Sequence, residues 1–291
     1  MIKQVVVTDA WVKHHDDILL NPALKPFEKA LLSMKQIWAN AETTTPLSWY
    51  AAHVQCTPTS LVASLFPALP EHTQQIWLAS PYHARLTRSD LMVMPEYFLD
   101  WSADTAEHVC ALLNPLLQDD GLQLICQDEL LLLCSDKVWD IQPLSFADIA
   151  GNTLPNKHMR GMDAGLWSRL LSEVQMSLHQ EPVLTQQGLE VHGLWFWGGT
   201  GRVVDMLPTT SFPSVATTDI YLQRVLQKLN KQQNAQIIVS YAEQLRTLLP
   251  TVLPESWLLL GAGKSVRLKN HIFTSIFSRL RQSQWKGLMS S

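Results

Sequence analysis

The chain has 291 residues, enough for one large domain or two small ones around a buried core. Hydrophobic residues make up 46% and charged residues 16%, which fits a globular protein with a rather apolar surface. A net charge of −4 argues against nucleic acid as the main partner, and no run of about twenty apolar residues is present to cross a membrane.

The opening MIKQVVVTDAW lacks the apolar core of a signal peptide. Cys56, Cys110, Cys126 and Cys134 have no ligand-like spacing and read as reduced core thiols. Both features point to a cytoplasmic protein. Eleven tryptophans are many for this length.

In chain order, residues 2–8 read as a short buried strand ending at Asp9. Lys13-His14-His15-Asp16-Asp17 follows. Asp9, His14, His15 and Asp16 are either a weak metal cluster or a strand end and a solvated polar loop. We favour the loop, because adjacent His and Asp side chains rarely converge without supporting hydrogen bonds. Residues 26–38 read as a helix with Phe27, Leu31 and Met34 on one side, and residues 47–66 as helical segments around Pro58. Residues 75–79 form a strand, residues 80–85 a loop, and residues 91–94 another strand. His83 and Arg85, with Arg88, are then either an anion clamp at a strand end or ordinary surface groups.

Ser102 caps a helix running to about Leu117, with acidic residues in its first turn. Residues 122–126 and 129–134 form a hairpin, and residues 143–160 are irregular. The first half is thus α+β in character, with mixed or antiparallel strands. Near the end, Thr217 or Thr218 caps a helix to Leu229; residues 235–239, 241–249 and 256–260 read strand, helix, strand. This alternation suits an α/β layer. The run LLLGAGKS is a hairpin turn and not a phosphate loop, since Leu258 stands where the loop needs glycine. After Glu255 there is no acidic residue, while Lys264, Arg267, Lys269, Arg279, Arg281 and Lys286 are basic. With the stripe Ile272, Phe273, Ile276, Phe277 and Leu280, this is either an amphipathic basic helix for a membrane surface or protein partner, or a helix docked on its own domain.

Residues 161–202 organise the rest. Leu166, Leu170, Val174 and Leu178 recur every fourth residue, with Trp167 and Leu171 beside them, giving one apolar helix face. Asp163 is the expected N-cap. Glu173 and Gln175 lie on opposite edges of that face, His179 sits in the last turn, and Pro182 ends the helix. Leu194 to Trp197 is an aromatic strand, and Gly198-Gly199-Thr200-Gly201 a flexible turn whose amides could face an anion.

The succession EVQMSLHQEPV, spacer, LWFWGG resembles the uncharacterised regulatory proteins of the RpfE type, as does WLASPYHARLTRSDLMVM at residues 77–94. More distantly, it is similar to the insertion region of archaeal-type cofactor-independent phosphoglycerate mutases. There a helix ends in His-Pro-Val-Asn and a strand reads Asn-x-x-Trp-x-Trp-Gly-x-Gly. This chain departs from that pattern. It has Glu181-Pro182-Val183-Leu184, His192 at the asparagine, and Thr200 at the last glycine. A working mutase would also need late Asp and His metal ligands, and the late chain offers only Asp219 and His271.

The succession of elements reads as an α/β fold, a mixed sheet layered with helices, in two parts at residues 1–160 and 161–291 or as one continuous domain. The resemblance implies a non-catalytic, regulatory or metabolite-binding protein for a small phosphorylated or carboxylated ligand. His83, Arg85, Glu173, Gln175, His179, Trp195, Trp197, Gly198, Gly199 and Arg202 would lie near that ligand, with residues 77–94 and 161–202 meeting in one site. No cofactor is expected. The alternatives are a divergent mutase or phosphatase using manganese or zinc, and a protein-interaction module.

Overall fold

The structure is a computed structural model. It describes residues 2–14, 17–41, 44–86, 91–94, 99–154, 159–186, 191–201, 213–249, 254–269 and 285. The elements begin with β1 (Gln4–Val7), β2 (Trp11–His14), β3 (Asp17–Leu20), α1 (Glu28–Leu32), β4 (Lys35–Asn40), α2 (Pro46–His53) and α3 (Pro58–Ala63). Next come β5 (Gln75–Tyr82), β6 (Ala84–Leu86), β7 (Leu91–Val93), α4 (Ala103–Leu117), β8 (Leu122–Gln127), β9 (Leu130–Ser135) and α5 (Phe146–Ile149). Then α6 (Ala164–Gln180), α7 (Pro182–Gln186), β10 (Gly193–Gly201), β11 (Val215–Ala216) and α8 (Ile220–Lys228) follow. The last described elements are β12 (Ile237–Ser240), α9 (Leu245–Leu248), β13 (Ser256–Gly261) and β14 (Lys264–Lys269). The fold class is α/β with a mixed sheet, as expected.

Two compact units form. One joins Met1–Gln55 to Thr210–Ser291; the other is Cys56–Thr209. Neither limit falls at residue 160.

The discontinuous unit holds a six-stranded sheet in the order β11-β12-β1-β13-β14-β4. The first four strands are parallel, and β14 and β4 run antiparallel to their neighbours. β1 lies inside this sheet, and its residues Val5, Val6 and Val7 are fully buried. That is why the strand is a continuous apolar run rather than an alternating one. Trp257, Leu259, Leu268, Leu24 and Leu31 fill the core around it.

Three local readings change in this unit. The polar stretch after Asp9 is a hairpin, β2 against β3, with His14 opposite Asp17. It is anchored by buried Trp11, whose ring packs 5.2 Å from Trp38 and 5.0 Å from Trp285. The helix expected at residues 26–38 is a 3-10 turn at Pro22–Phe27, the short α1 and the edge strand β4. Pairing of Lys35–Asn40 with β14 outweighs the helical spacing there. Helix α8 is capped by Asp219, which accepts from the Leu222 amide at 2.8 Å. Thr217 instead accepts from the Asp219 amide at 3.1 Å, which fixes the cap residue from behind. The 258–265 run is the β13–β14 hairpin, turning through Ala262 (φ 45°) and Gly263 (φ 76°), two consecutive left-handed residues as a type I′ turn requires.

The continuous unit holds a four-stranded antiparallel sheet, β10-β5-β9-β8. Trp77, Ala79, Leu131, Leu133, Leu194 and Phe196 form one core with Val109 and Leu113 of α4 and Trp167, Leu170, Val174 and Leu178 of α6. All eight residues of β5 are buried. The Ser102 hydroxyl caps α4 by accepting from Thr105 N at 3.2 Å, and Gly121 at φ 71° turns the chain into the β8–β9 hairpin.

Several expectations shift in this unit too. β5 continues to Tyr82 and β6 begins at Ala84, where a loop was expected. The segment 143–160, expected to be irregular, carries the short α5. On α6 the buried face runs through Trp167, and Leu166 is 47% exposed. Asp163 precedes α6 but makes no side-chain cap; its carboxylate accepts from the Asp140 amide at 2.8 Å. Pro182 ends α6 and opens α7, since proline suits a first helical turn.

Among the described residues no helix is long and apolar enough to cross a membrane. The basic apolar stripe from Ile272 to Leu280 lies outside the described residues.

Candidate functional site

Strand β10 is an edge strand paired antiparallel with β5, with Gly193 opposite Tyr82, Trp195 opposite Ser80 and Trp197 opposite Leu78. Alternation sends Leu194 and Phe196 into the core with α6 and sends Trp195 and Trp197 to the other side. Both indoles are satisfied: Trp195 donates to the Leu144 carbonyl and Trp197 to the Ser80 hydroxyl, each at 2.9 Å.

The glycines after Trp197 belong to the strand. The register shifts between Trp197 and Thr200, so they form a β-bulge and not a flexible turn. Gly198 takes φ 71°, and its carbonyl accepts from Thr59 at 2.5 Å. A side chain on Gly199 would begin 2.2 Å from the Trp77 indole nitrogen. Close packing thus accounts for both glycines. Arg202 lies outside the described residues.

A cavity of about 260 Å³ lies beside this strand. Helix α6 supplies Ser168, Leu171, Ser172 and Gln175, a stripe at spacings of three and four. β5 and β10 supply Tyr82 and Trp195, and Leu154 and Met159 complete the wall. Ser168 donates to the Ala164 carbonyl at 2.9 Å and Ser172 to the Ser168 carbonyl at 3.0 Å. Their hydrogens are spent on the helix, and their oxygens remain as acceptors. Burial pushes the Tyr82 phenol well above its usual range, so it keeps its proton and stays a donor.

Tyr82 is placed by Gly193, where a built Cβ would stand 2.4 Å from the phenol oxygen. Gly193→Ala is expected to displace the ring and lower stability by about 1–3 kcal/mol. Urea denaturation checks this.

The structure disperses the other expected residues. Residues 77–94 and 161–202 do meet, through β5, β10 and α6. His83, however, is buried beside His192, their rings 4.9 Å apart, with His192 Nδ1 accepting from the Ala84 amide at 3.2 Å. His192 precedes Gly198 by six positions along β10. At about 3.3 Å per strand residue this is roughly 20 Å, too far for one metabolite-sized pocket to hold His83 and the glycines. Arg85 is exposed on β6, and His179 is exposed at the end of α6. Glu173 faces Arg169 across 3.6 Å, an ordinary surface pair.

Sequence reasoning missed Tyr82, Ser168 and Ser172. The only signal was the three-four spacing of the serines with Gln175 beside the apolar face. A larger cavity of about 550 Å³ contains none of the expected residues. Glu71 and Asp136 line it with His72 and, among the described residues, no Lys or Arg, and the last turn of α4 contributes Asn114 to its wall, a setting that disfavours an anion.

Asp9 lies two residues past the end of β1, which has parallel β12 and β13 on either side. Its carboxylate accepts from the Ala242 amide at 2.6 Å and from Asn21 at 3.3 Å. Burial raises its pKa from 3.8 to about 6 against the pull of the Ala242 bond, and the nearby Glu243 charge adds to the rise. Asp219, which the sequence reading passed over as a cap, is also buried, and burial raises its pKa to about 6. His15 and Asp16 lie outside the described residues. Among the described residues no three His, Cys, Asp or Glu side chains gather as a metal site.

No family model and no curated protein matches the chain, so the RpfE-type resemblance has no match behind it. Among solved structures it is similar to the cofactor-independent phosphoglycerate mutase from Thermoplasma acidophilum, at 9% identity and a TM-score of 0.37, over 94% of this chain and 90% of that one. It is similar to the PH0037 protein from Pyrococcus horikoshii at 8% identity, with the same TM-score and coverage. A likeness of this size carries no argument about activity or site residues.

Proposed function

We propose that the chain is a non-catalytic binding protein that holds one small carboxylated or hydroxylated metabolite in the cavity beside β10. The observation that carries this reading is the cavity's chemistry. Ser168 and Ser172 offer acceptors, Tyr82 a donor and Gln175 both, against the apolar wall of Trp195, Leu171 and Met159. The described lining residues include no carboxylate, histidine, lysine or arginine, which suits recognition by hydrogen bonding. A doubly charged phosphate would find no cation among the described lining residues, which favours the carboxylated member of the expected ligand pair. A regulatory role rests on the RpfE-type resemblance alone.

Thermal unfolding with glycerate, phosphoglycerate and glucose as probes tests this. Glycerate is expected to raise Tm in a concentration-dependent way, and Gln175→Leu to abolish the rise. No rise with any probe, or an equal rise in the variant, would sink the reading.

The enzyme alternative has one observation in its favour. Asp9 stands at the carboxyl end of a parallel strand flanked by two others, a common ligand position, with a pKa near neutrality. The described residues do not fit a manganese or zinc centre, because both Asp9 oxygens are already engaged and no partner ligands gather. On our reading, protein dialysed against manganese retains no stoichiometric metal and shows no mutase turnover.

The third alternative, a basic C-terminal interaction segment, cannot be tested by deletion from Lys264. β14 is an interior strand of the six-stranded sheet, so such a deletion must begin after Lys269.

A further inference from the structure

Asn114 locks α4 to β8. Its amide donates to the Leu124 carbonyl at 2.9 Å, and its side-chain oxygen accepts from the Leu124 amide at 2.8 Å. Helix and strand run in opposite directions from this lock. Four residues back along the helix is about 6 Å on the same face. Two residues on along the strand is about 6.7 Å, again on the same face. These two positions are Cys110 and Cys126. Cys110 belongs to the core and Cys126 packs against it, and the two thiols are near enough to couple electrostatically. Cys110 is buried and Cys126 is half-buried, and both are free thiols in this structure. Cys134, by contrast, is buried on β9 beside Thr73.

We propose that Cys110 and Cys126 are a redox modification site, which a hydroperoxide converts to a reversible disulfide stapling α4 to β8. The partly accessible Cys126 meets the oxidant. Its sulfur attacks a peroxide oxygen, the O–O bond breaks, the second oxygen leaves as water or alcohol, and Cys126 becomes a sulfenic acid. The Cys110 sulfur then attacks the Cys126 sulfur. The S–O bond breaks, and the oxygen leaves as water with the proton of Cys110. Two thiols are oxidised and one hydroperoxide is reduced.

The order follows from the surroundings. Burial, the neighbouring Cys126 and Glu107 hold the Cys110 thiol protonated, well above the usual range. Cys110 is therefore a poor first nucleophile and serves as the resolving thiol. Closure draws the two sulfurs to about 2.05 Å. This inference does not depend on the ligand reading, since neither cysteine lines the cavity beside β10.

The test treats the full chain with hydrogen peroxide, alkylates the remaining thiols and maps peptides by mass spectrometry. The expected result is a Cys110–Cys126 cross-linked peptide, lighter by two hydrogens and restored by dithiothreitol, with Cys56 and Cys134 alkylated. Oxidation should also raise Tm reversibly. In Cys110→Ser, or Cys110→Ala if the serine variant does not fold, dimedone should trap the sulfenic acid on Cys126. Both thiols still alkylated after peroxide, over-oxidation of Cys126 without a cross-link, or cross-links to Cys56 or Cys134 would each overturn the proposal.

Discussion

Trp167→Ala is expected to destabilise the continuous unit by about 3–5 kcal/mol, the range for emptying a buried aromatic site. Trp167 is fully buried, with Trp77, Trp139 and Phe196 ring centroids at 4.9, 5.4 and 5.9 Å. Its loss removes the largest of the α6 side chains packed against the sheet, and the rigid rings around it collapse poorly into the void. Trp167→Phe should cost well under half as much. The Trp167 indole N–H is buried with no acceptor among the described residues, and phenylalanine removes that unmet donor while keeping a ring. Urea denaturation of both variants checks the contrast. Equal losses would mean that shape and not volume dominates this core.

The second large effect is on pH dependence. Asp9 has a folded-state pKa of about 6 against an ordinary 3.8. The folded state therefore holds the proton more tightly than the unfolded state. Stability from this group is fully present below pH 3.8 and is lost as pH rises through about 6. The whole change is worth about 3 kcal/mol at ~1.4 kcal/mol per pH unit. Asp219 acts in the same direction and window. Asp9→Asn mimics the neutral form. Its side-chain oxygen can still accept from Ala242, although its NH2 would face that of Asn21. Tm measured from pH 5 to pH 8 should fall in the wild type, and the fall should be smaller in Asp9→Asn. An unchanged slope would show that Asp9 is ionised in the folded protein throughout.

Local chemistry was legible in the sequence. The Ser102 cap, the β8–β9 hairpin and the β13–β14 turn all depend on residues close in the chain, and they stand where the spacing places them. What failed depends on distant partners. Lys35–Asn40 is a strand because β14 supplies its ladder. Gly198 and Gly199 are a bulge because Thr59 and Trp77 press against them. The grouping of the chain into units was hidden because β1 pairs with β12 and β13, more than two hundred residues later. Of the candidate site, Gln175 and Trp195 were visible as a helix edge and an aromatic strand. Tyr82 was not, and the two serines left only their three-four spacing with Gln175, because a cavity is a property of packed elements.

Fluorine NMR of the protein labelled with fluorotryptophan tests the binding claim most directly. The Trp195 resonance is the one absent in Trp195→Phe, and the Trp257 resonance reports on the core of the other unit. Titrating glycerate should shift Trp195 saturably, leave Trp257 in place, and shift neither in Gln175→Leu. A Trp195 resonance that stays fixed through the titration, or a saturable shift of Trp257 alone, would contradict a ligand site beside β10.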